Sequence, residues 1–250
     1  MAAYDFTAPR LYVTPDLAAG ARLPLDRAQA NYLLTVLRRK PEDPVLVFNG
    51  RDGEWRARLD ATGRKSADLV LVERTRAQTP RPDLDYLFAP LKSARLDYLA
   101  QKAVEMGAGT LRPVITRFTQ GDRLNRERLS ANAVEAAEQC GILTIPEIAE
   151  PVRLPAALEG LAPERLLVFC DEDAPVSDPV AALRGAASPA SSPPLAVLVG
   201  PEGGFSAEER ETIARRPNTV AVSLGPRILR ADTAAVAVMA LVQAVLGDAR

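Results

Sequence analysis

The sequence predicts a small β-rich module followed by an α/β domain built on a parallel sheet. Three observations carry this. Short apolar runs separated by turn signals fill residues 10–76. Beyond residue 83, strand-like and helix-like runs alternate, as a parallel sheet with helical crossovers requires. Between them, Thr79-Pro80-Arg81-Pro82-Asp83 reads as a stiff linker. The expected boundaries are a first domain over 1–76, a linker over 77–82 and a second domain over 83–250.

In the first module, Asp26 is placed to cap a helix whose apolar positions Ala30, Leu33, Leu34 and Leu37 share one face. Strands are expected at Val45–Phe48, Glu54–Leu59 and Asp68–Val72. Turns at Asn49-Gly50, Asp52-Gly53 and Thr62-Gly63 separate them, a spacing that suggests a small barrel. In the second domain, strands are expected at Tyr86–Ala89, Leu111–Ile115, Leu166–Phe169, Leu195–Val199 and Thr219–Val222. Helices are expected at Leu96–Met106, Arg126–Gln139, Ser206–Arg215 and Asp232–Leu246. The short uninterrupted apolar runs suit strands buried on both faces. Gly185–Pro194 is small and proline-rich and reads as an exposed loop.

Composition narrows the chemistry. The 250 residues are 47% hydrophobic and 25% charged, an ordinary globular balance. There is no histidine, which excludes a Ser-His-Asp or Cys-His nucleophile system. The two cysteines, Cys140 and Cys170, have no CxxC spacing, so no structural metal is expected. Chemistry must rest on carboxylates, arginines, hydroxyls and backbone groups. The net charge is −1. Residues 1–78 hold 13 Lys+Arg against 10 Asp+Glu, the sign suited to a module that meets phosphate. The N-terminus lacks the pattern of a signal peptide, and the longest apolar run, Ala234–Val242, is too short to span a membrane. A cytoplasmic protein is expected.

Two loops attract attention. The first, Gly200-Pro201-Glu202-Gly203-Gly204-Phe205, joins a buried strand to a helix opened by a Ser206-x-x-Glu209 capping box. It is neither a Walker loop nor a dinucleotide fingerprint. On glycine content it is either a tight turn or a backbone cradle for a ligand at the strand ends. The second, Leu224-Gly225-Pro226-Arg227-Ile228-Leu229-Arg230, follows the next strand and precedes a helix that Asp232 or Thr233 could cap. It is either a solvated loop or a holder of phosphate or developing negative charge. Two further stretches, Pro90–Asp97 with Gln101, Lys102 and Glu105 further along the same helix, and Glu135–Gly141, read as helical surface charge or as functional faces.

Taken together, LVGPEGGFSAEE, LGPRILRADTA, AVEAAEQCG and NYLLTVLRRKPEDPVLVFNG resemble the ribosomal RNA small-subunit methyltransferase E family of the SPOUT superfamily. The resemblance covers nearly the whole chain in order. It implies an N-terminal PUA-like β-barrel that binds RNA and a C-terminal α/β domain with a deep trefoil knot. It also implies a homodimer formed through that domain, with the apolar helix Ala234–Val242 in the knot core and interface. The implied methyl donor is S-adenosylmethionine (SAM). The implied reaction is methylation at N3 of one uridine in the decoding region of 16S rRNA, within the small ribosomal subunit. Three positions depart from the family pattern: Asn31 replaces a histidine, Ile142 an arginine and Asp232 a glutamate.

This resemblance assigns residues. The backbone around Leu198, Val199, Gly200, Glu202, Gly203, Leu224, Gly225, Ile228 and Leu229 would cradle SAM. With no histidine, Arg230 would stabilise charge on the uracil carbonyls, and Glu202 or Asp232 would take the N3 proton. Arg22, Arg27, Arg38, Arg39 and Lys40, with Lys92 and Arg95, are the candidate RNA contacts. The rival readings are a SPOUT enzyme for tRNA or a ribose 2′-hydroxyl, and a non-catalytic RNA-binding assembly factor.

Overall fold

The computed structural model describes residues 7–63, 66–120, 124–174, 178–186 and 194–248. The N-terminal segment 1–6 and most of the proline-rich stretch (187–193) lie outside the described residues. The chain forms two compact units. One comprises Met1–Pro80 with Ala137–Ile145, the other Arg81–Ala136 with Pro146–Arg250.

In the first unit the strands are β1 (Arg10–Tyr12), β2 (Arg22–Pro24), β3 (Pro44–Phe48), β4 (Glu54–Gly63) and β5 (Ser66–Arg76). They form one sheet in the order β1-β3-β4-β5-β2, antiparallel except for the parallel pair β1–β3. Alternation sets its core: Val45 and Val47, Ala57 and Leu59, and Leu69 and Leu71 all point to one buried cluster. Helix α1 (Arg27–Asn31) begins as expected, with Asp26 Oδ1 accepting the Gln29 N–H at 2.7 Å in a capping box. It does not continue as an α-helix. From Tyr32 to Val36 the chain winds as a π-helix, closed by the Leu37 N–H on the Tyr32 carbonyl. The wider turn keeps Leu33 buried and leaves Val36 and Leu37 exposed, so the expected four-residue apolar face is broken.

A buried charge cluster ties this unit together. Glu54, 2% exposed, accepts from Arg10 Nε at 2.8 Å and from Arg76 Nη2 at 2.6 Å. Arg10 also donates to the carbonyls of Ala137, Glu138 and Ile142, and Arg76 to that of Gly141. The stretch Glu135–Gly141 is therefore not only surface charge: its last turn ends on two arginines of the first sheet. At Ile142 the backbone carbonyl does the bonding, which a side-chain comparison with relatives cannot reveal.

In the second unit the elements are β6 (Leu84–Phe88), α2 (Ser93–Glu105), β7 (Thr110–Ile115), α3 (Arg126–Gln139, whose last turn joins the first unit), β8 (Glu147–Ile148), β9 (Val152–Arg153) and α4 (Leu154–Glu159). They continue with β10 (Leu166–Cys170), α5 (Pro179–Ala186), β11 (Leu195–Val199), α6 (Ala207–Arg215), β12 (Thr219–Val222) and α7 (Ala231–Val245). The sheet is parallel, in the order β12-β10-β11-β6-β7-β8, with β9 also pairing with β7. Both faces are covered. Val168, Val197, Val199, Tyr86 and Phe88 pack with α2, α5 and α7. Leu167, Phe169, Ala196, Leu198 and Leu87 pack with α4 and α6. This two-sided burial is why the strands read as continuous apolar runs. Among the described residues no helix is long and apolar enough to cross a membrane.

Burial pushes the Glu54 carboxyl upward, but its hydrogen bonds to Arg76 and Arg10 outweigh it and hold the group below the ordinary carboxylate range. The stabilisation is present above the unfolded-state value and is lost as pH falls through the lowered folded one. Glu54→Gln is expected to cost about 3–5 kcal/mol, the penalty for breaking a buried pair. Urea unfolding at pH 7 measures it, and the variant should lose this part of the acid dependence.

Candidate active site

Three neighbouring parallel strands, β12, β10 and β11, end side by side, and the loops leaving them enclose a cavity of about 270 Å³. Ligands of open α/β sheets bind at such carboxyl ends.

The loop leaving β11 is shaped by one close approach. A Cβ on Gly200 would lie 2.6 Å from the Phe205 ring, so only glycine allows the ring to fold back there. Phe205 is buried and meets Phe169 edge to face at 5.2 Å. The chain then turns through Gly204, at φ +68°, into α6. Ser206 and Glu209 form the predicted capping box, with the Ser206 N–H on Glu209 Oε2 at 2.9 Å. Glu209 Oε1 also accepts the Arg117 N–H at 2.7 Å, which ties the loop after β7 to the start of α6.

The loop leaving β10 carries Asp171, Glu172 and Asp173. All three carboxylates are held by Arg210 of α6, at 2.5 Å for Glu172 and 3.0 Å for Asp173. Asp171 and Glu172 line the cavity. Cys170 lines it too. Burial, with Asp171 beside it, pushes this thiol up to about 12, so it stays protonated and is no nucleophile at neutral pH. The Tyr86 hydroxyl is buried and, among the described residues, has no hydrogen-bond partner. Burial, then Cys170 and Asp232, keep it well above the usual phenol value.

The loop leaving β12 exposes its side chains. Gly225 takes φ +99°, and Ile228 is 97% exposed at the cavity wall. Arg230 is the N-cap residue of α7 but caps it with no side-chain bond. The expected cap by Asp232 or Thr233 is not formed. The helix starts at Ala231, so Asp232 falls inside its first turn, where Oδ1 accepts the Thr233 N–H at 2.9 Å.

Of the residues assigned to SAM, Val199, Gly200, Glu202, Gly203, Leu224, Gly225, Ile228 and Leu229 line the cavity. Leu198 does not. The strand alternation turns its side chain to the opposite face, into the cluster with Phe169 and Phe205. Arg230 and Asp232 are not lining residues and stand next to two that are, Leu229 and Ala231. Asp171 and Glu172 line the cavity without belonging to either glycine loop. Their signal was three carboxylates directly after an apolar strand.

The proposed RNA contacts fare unevenly. Arg22 is engaged by Asp60 at 2.5 Å and Asp68 at 3.3 Å. Arg39 donates to the Thr7 carbonyl. Arg27, Arg38 and Lys40 are exposed on the first unit, Arg38 at φ +54° after the π-helix, and Asn31 is exposed there too. In the second unit Lys92 is exposed, while Arg95 pairs with Glu202 at 2.9 Å. No cluster of metal-ligating residues occurs among the described residues.

Comparison with known proteins adds an independent line. A family model described as RNA methyltransferase domain matches residues 78–243, and one described as RNA methyltransferase PUA domain matches residues 25–72. Ribosomal RNA small subunit methyltransferase E of Rickettsia conorii is 32% identical over 235 residues, 94% of either chain. The protein of that name from Synechocystis is 31% identical, over 95% of this chain and 78% of its own. The crystal structure of the Neisseria gonorrhoeae protein of that name, bound to S-adenosyl methionine, superposes with a TM-score of 0.82. It shares 26% identity and covers 96% of this chain and 99% of its own. Matched along its length by sequence and by fold, the chain belongs to the ribosomal RNA small subunit methyltransferase E family.

Proposed function

We propose that the protein methylates N3 of a specific uridine in the decoding region of 16S rRNA, with SAM as donor, during maturation of the small ribosomal subunit in the cytoplasm. The observation that carries this is the cavity at the ends of β10, β11 and β12, rimmed by two glycine loops, in a chain of this family. The neighbouring gonococcal structure is described as SAM-bound. The cavity suits that molecule. Its β11 and β12 walls offer backbone at Gly200, Gly203 and Gly225, and its β10 wall offers the carboxylates of Asp171 and Glu172 to a cation.

When bound, SAM supplies a sulfonium methyl that passes to N3 as the C–S bonding pair stays on sulfur. The protein must hold the base edge in line and remove the N3 proton. Arg230, exposed at the start of α7, is assigned to the uracil carbonyls, where its charge favours the N3 anion. A carboxylate takes the proton, and Glu202 and Asp232 are the candidates. A base inside a duplex presents no free N3, so the target must be unstacked, as is usual for sequence-specific RNA recognition. The first unit, with Arg27, Arg38 and Lys40 exposed, is assigned to the RNA backbone.

The proposal includes the deep trefoil knot and the homodimer. β12 is an edge strand, yet α7 packs back over β11, two strands inward, which is the return path such a knot needs. A second copy covering the exposed Ile228 is consistent with a dimer.

Methyl transfer from labelled SAM to small subunits lacking the modification, followed by nucleoside mass spectrometry, is expected to yield one N3-methyluridine per subunit. A 2′-O-methyl nucleoside, or transfer to tRNA alone, would overturn the reading. Arg230→Ala is expected to lower turnover by about 10²–10³-fold while calorimetry still detects SAM binding. Light scattering is expected to give the mass of two 26.8 kDa chains, and a concentration-independent monomer would refute the dimer.

A further inference from the structure

Two residues assigned to different tasks meet in the structure. Glu202 lies in the loop after β11 and lines the cavity. Arg95 lies in the first turn of α2, and its Nη1 donates to Glu202 Oε1 at 2.9 Å. Their side chains are 39% and 38% exposed, and among the described residues neither has a second hydrogen-bond partner. Solvent screens such a pair, so it changes an equilibrium by only about two- to fivefold.

The other candidate acids are held differently. Asp171 and Glu172 are locked by Arg210, and Asp232 accepts the N–H of its own helix turn. Glu202 is the cavity carboxylate with the least to give up. Arg95 in turn has something to gain. Its fork makes one bond to Glu202, whereas a phosphodiester can take two parallel bonds from a guanidinium. Lys92, exposed at the N-cap position of α2, adds a second cation, and the first turn of α2 holds no acidic residue.

We propose that Arg95 is a positioning residue that changes partner. In the free protein it holds Glu202 at the cavity wall. When RNA docks, a phosphodiester takes the guanidinium, and the released carboxylate accepts the uridine N3 proton while N3 keeps the electron pair. RNA binding and proton removal are thereby linked, and Glu202 rather than Asp232 is the acceptor. This rests on the RNA methyltransferase reading above.

The test is filter binding of labelled small subunits lacking the modification to wild type, R95Q, R95K, E202Q and the R95Q/E202Q double variant, without SAM. Thermal melts check that each variant folds. R95Q is expected to weaken binding about tenfold and to reduce the salt dependence by about one unit of slope, with R95K intermediate. E202Q is expected to tighten binding about two- to fivefold, because a neutral amide holds Arg95 less firmly than a carboxylate does. The double variant should match R95Q. In single-turnover transfer, E202Q should be slower by about 10²-fold or more. A static bridge would make E202Q neutral or weaker in binding, and either result overturns the exchange. Wild type that neither binds nor methylates these subunits would overturn the functional reading as well.

Discussion

A parallel sheet has to be covered on both faces, because its strands cannot join by hairpins and each crossover lays a helix across one side. Here that requirement organises the second unit. Moving from β6 to β7 places α2 on one face, and moving back to β10 places α4 on the other. The path β10, β11, β12 then visits adjacent strands in the order middle, inner, edge. Three strand ends that are far apart in sequence thus open side by side. The cavity is the space their loops leave.

Absence of histidine places an unusual demand on arginine and carboxylate. The protein answers with pairs of graded firmness. Glu54 is buried between Arg10 and Arg76, whose guanidinium groups also donate to carbonyls of the segment 137–142, and this cluster tolerates little change. Arg210 gathers three carboxylates beside the cavity, half in solvent. Arg95–Glu202 is a single exposed bond. Firm pairs suit architecture and weak ones suit exchange with an anionic ligand, so burial grades these residues by task.

Much of the site was legible locally. The cap at Asp26 and the capping box at Ser206 formed because they need only residues three apart. The buried strands were legible because two-sided burial leaves uninterrupted apolar runs. The two-residue strands β8 and β9 and the short helices α4 and α5 escaped notice, since so few residues carry no measurable period. The π-helix escaped for the opposite reason: its residues imitate an α-helical face that the wider winding then breaks. Strand alternation turns the Leu198 side chain away from the cavity, so only its backbone can serve the cradle expected of it.

By itself the sequence determined the element types, the two glycine loops, the lack of any histidine-based chemistry and the motif order that marks the family. Those properties belong to single residues or to neighbours along the chain. Only the tertiary structure decided which loops share a cavity, that Asp171 and Glu172 line it, that Arg22 is engaged by aspartates and that Arg95 meets Glu202. Arg95 and Glu202 are 107 positions apart. The pair exists only because the sheet order sets β6, which leads into α2, beside β11, which leads into the glycine loop. Strand pairing between distant segments is a choice among packings of the same apolar runs, and no local pattern records which packing buries them best.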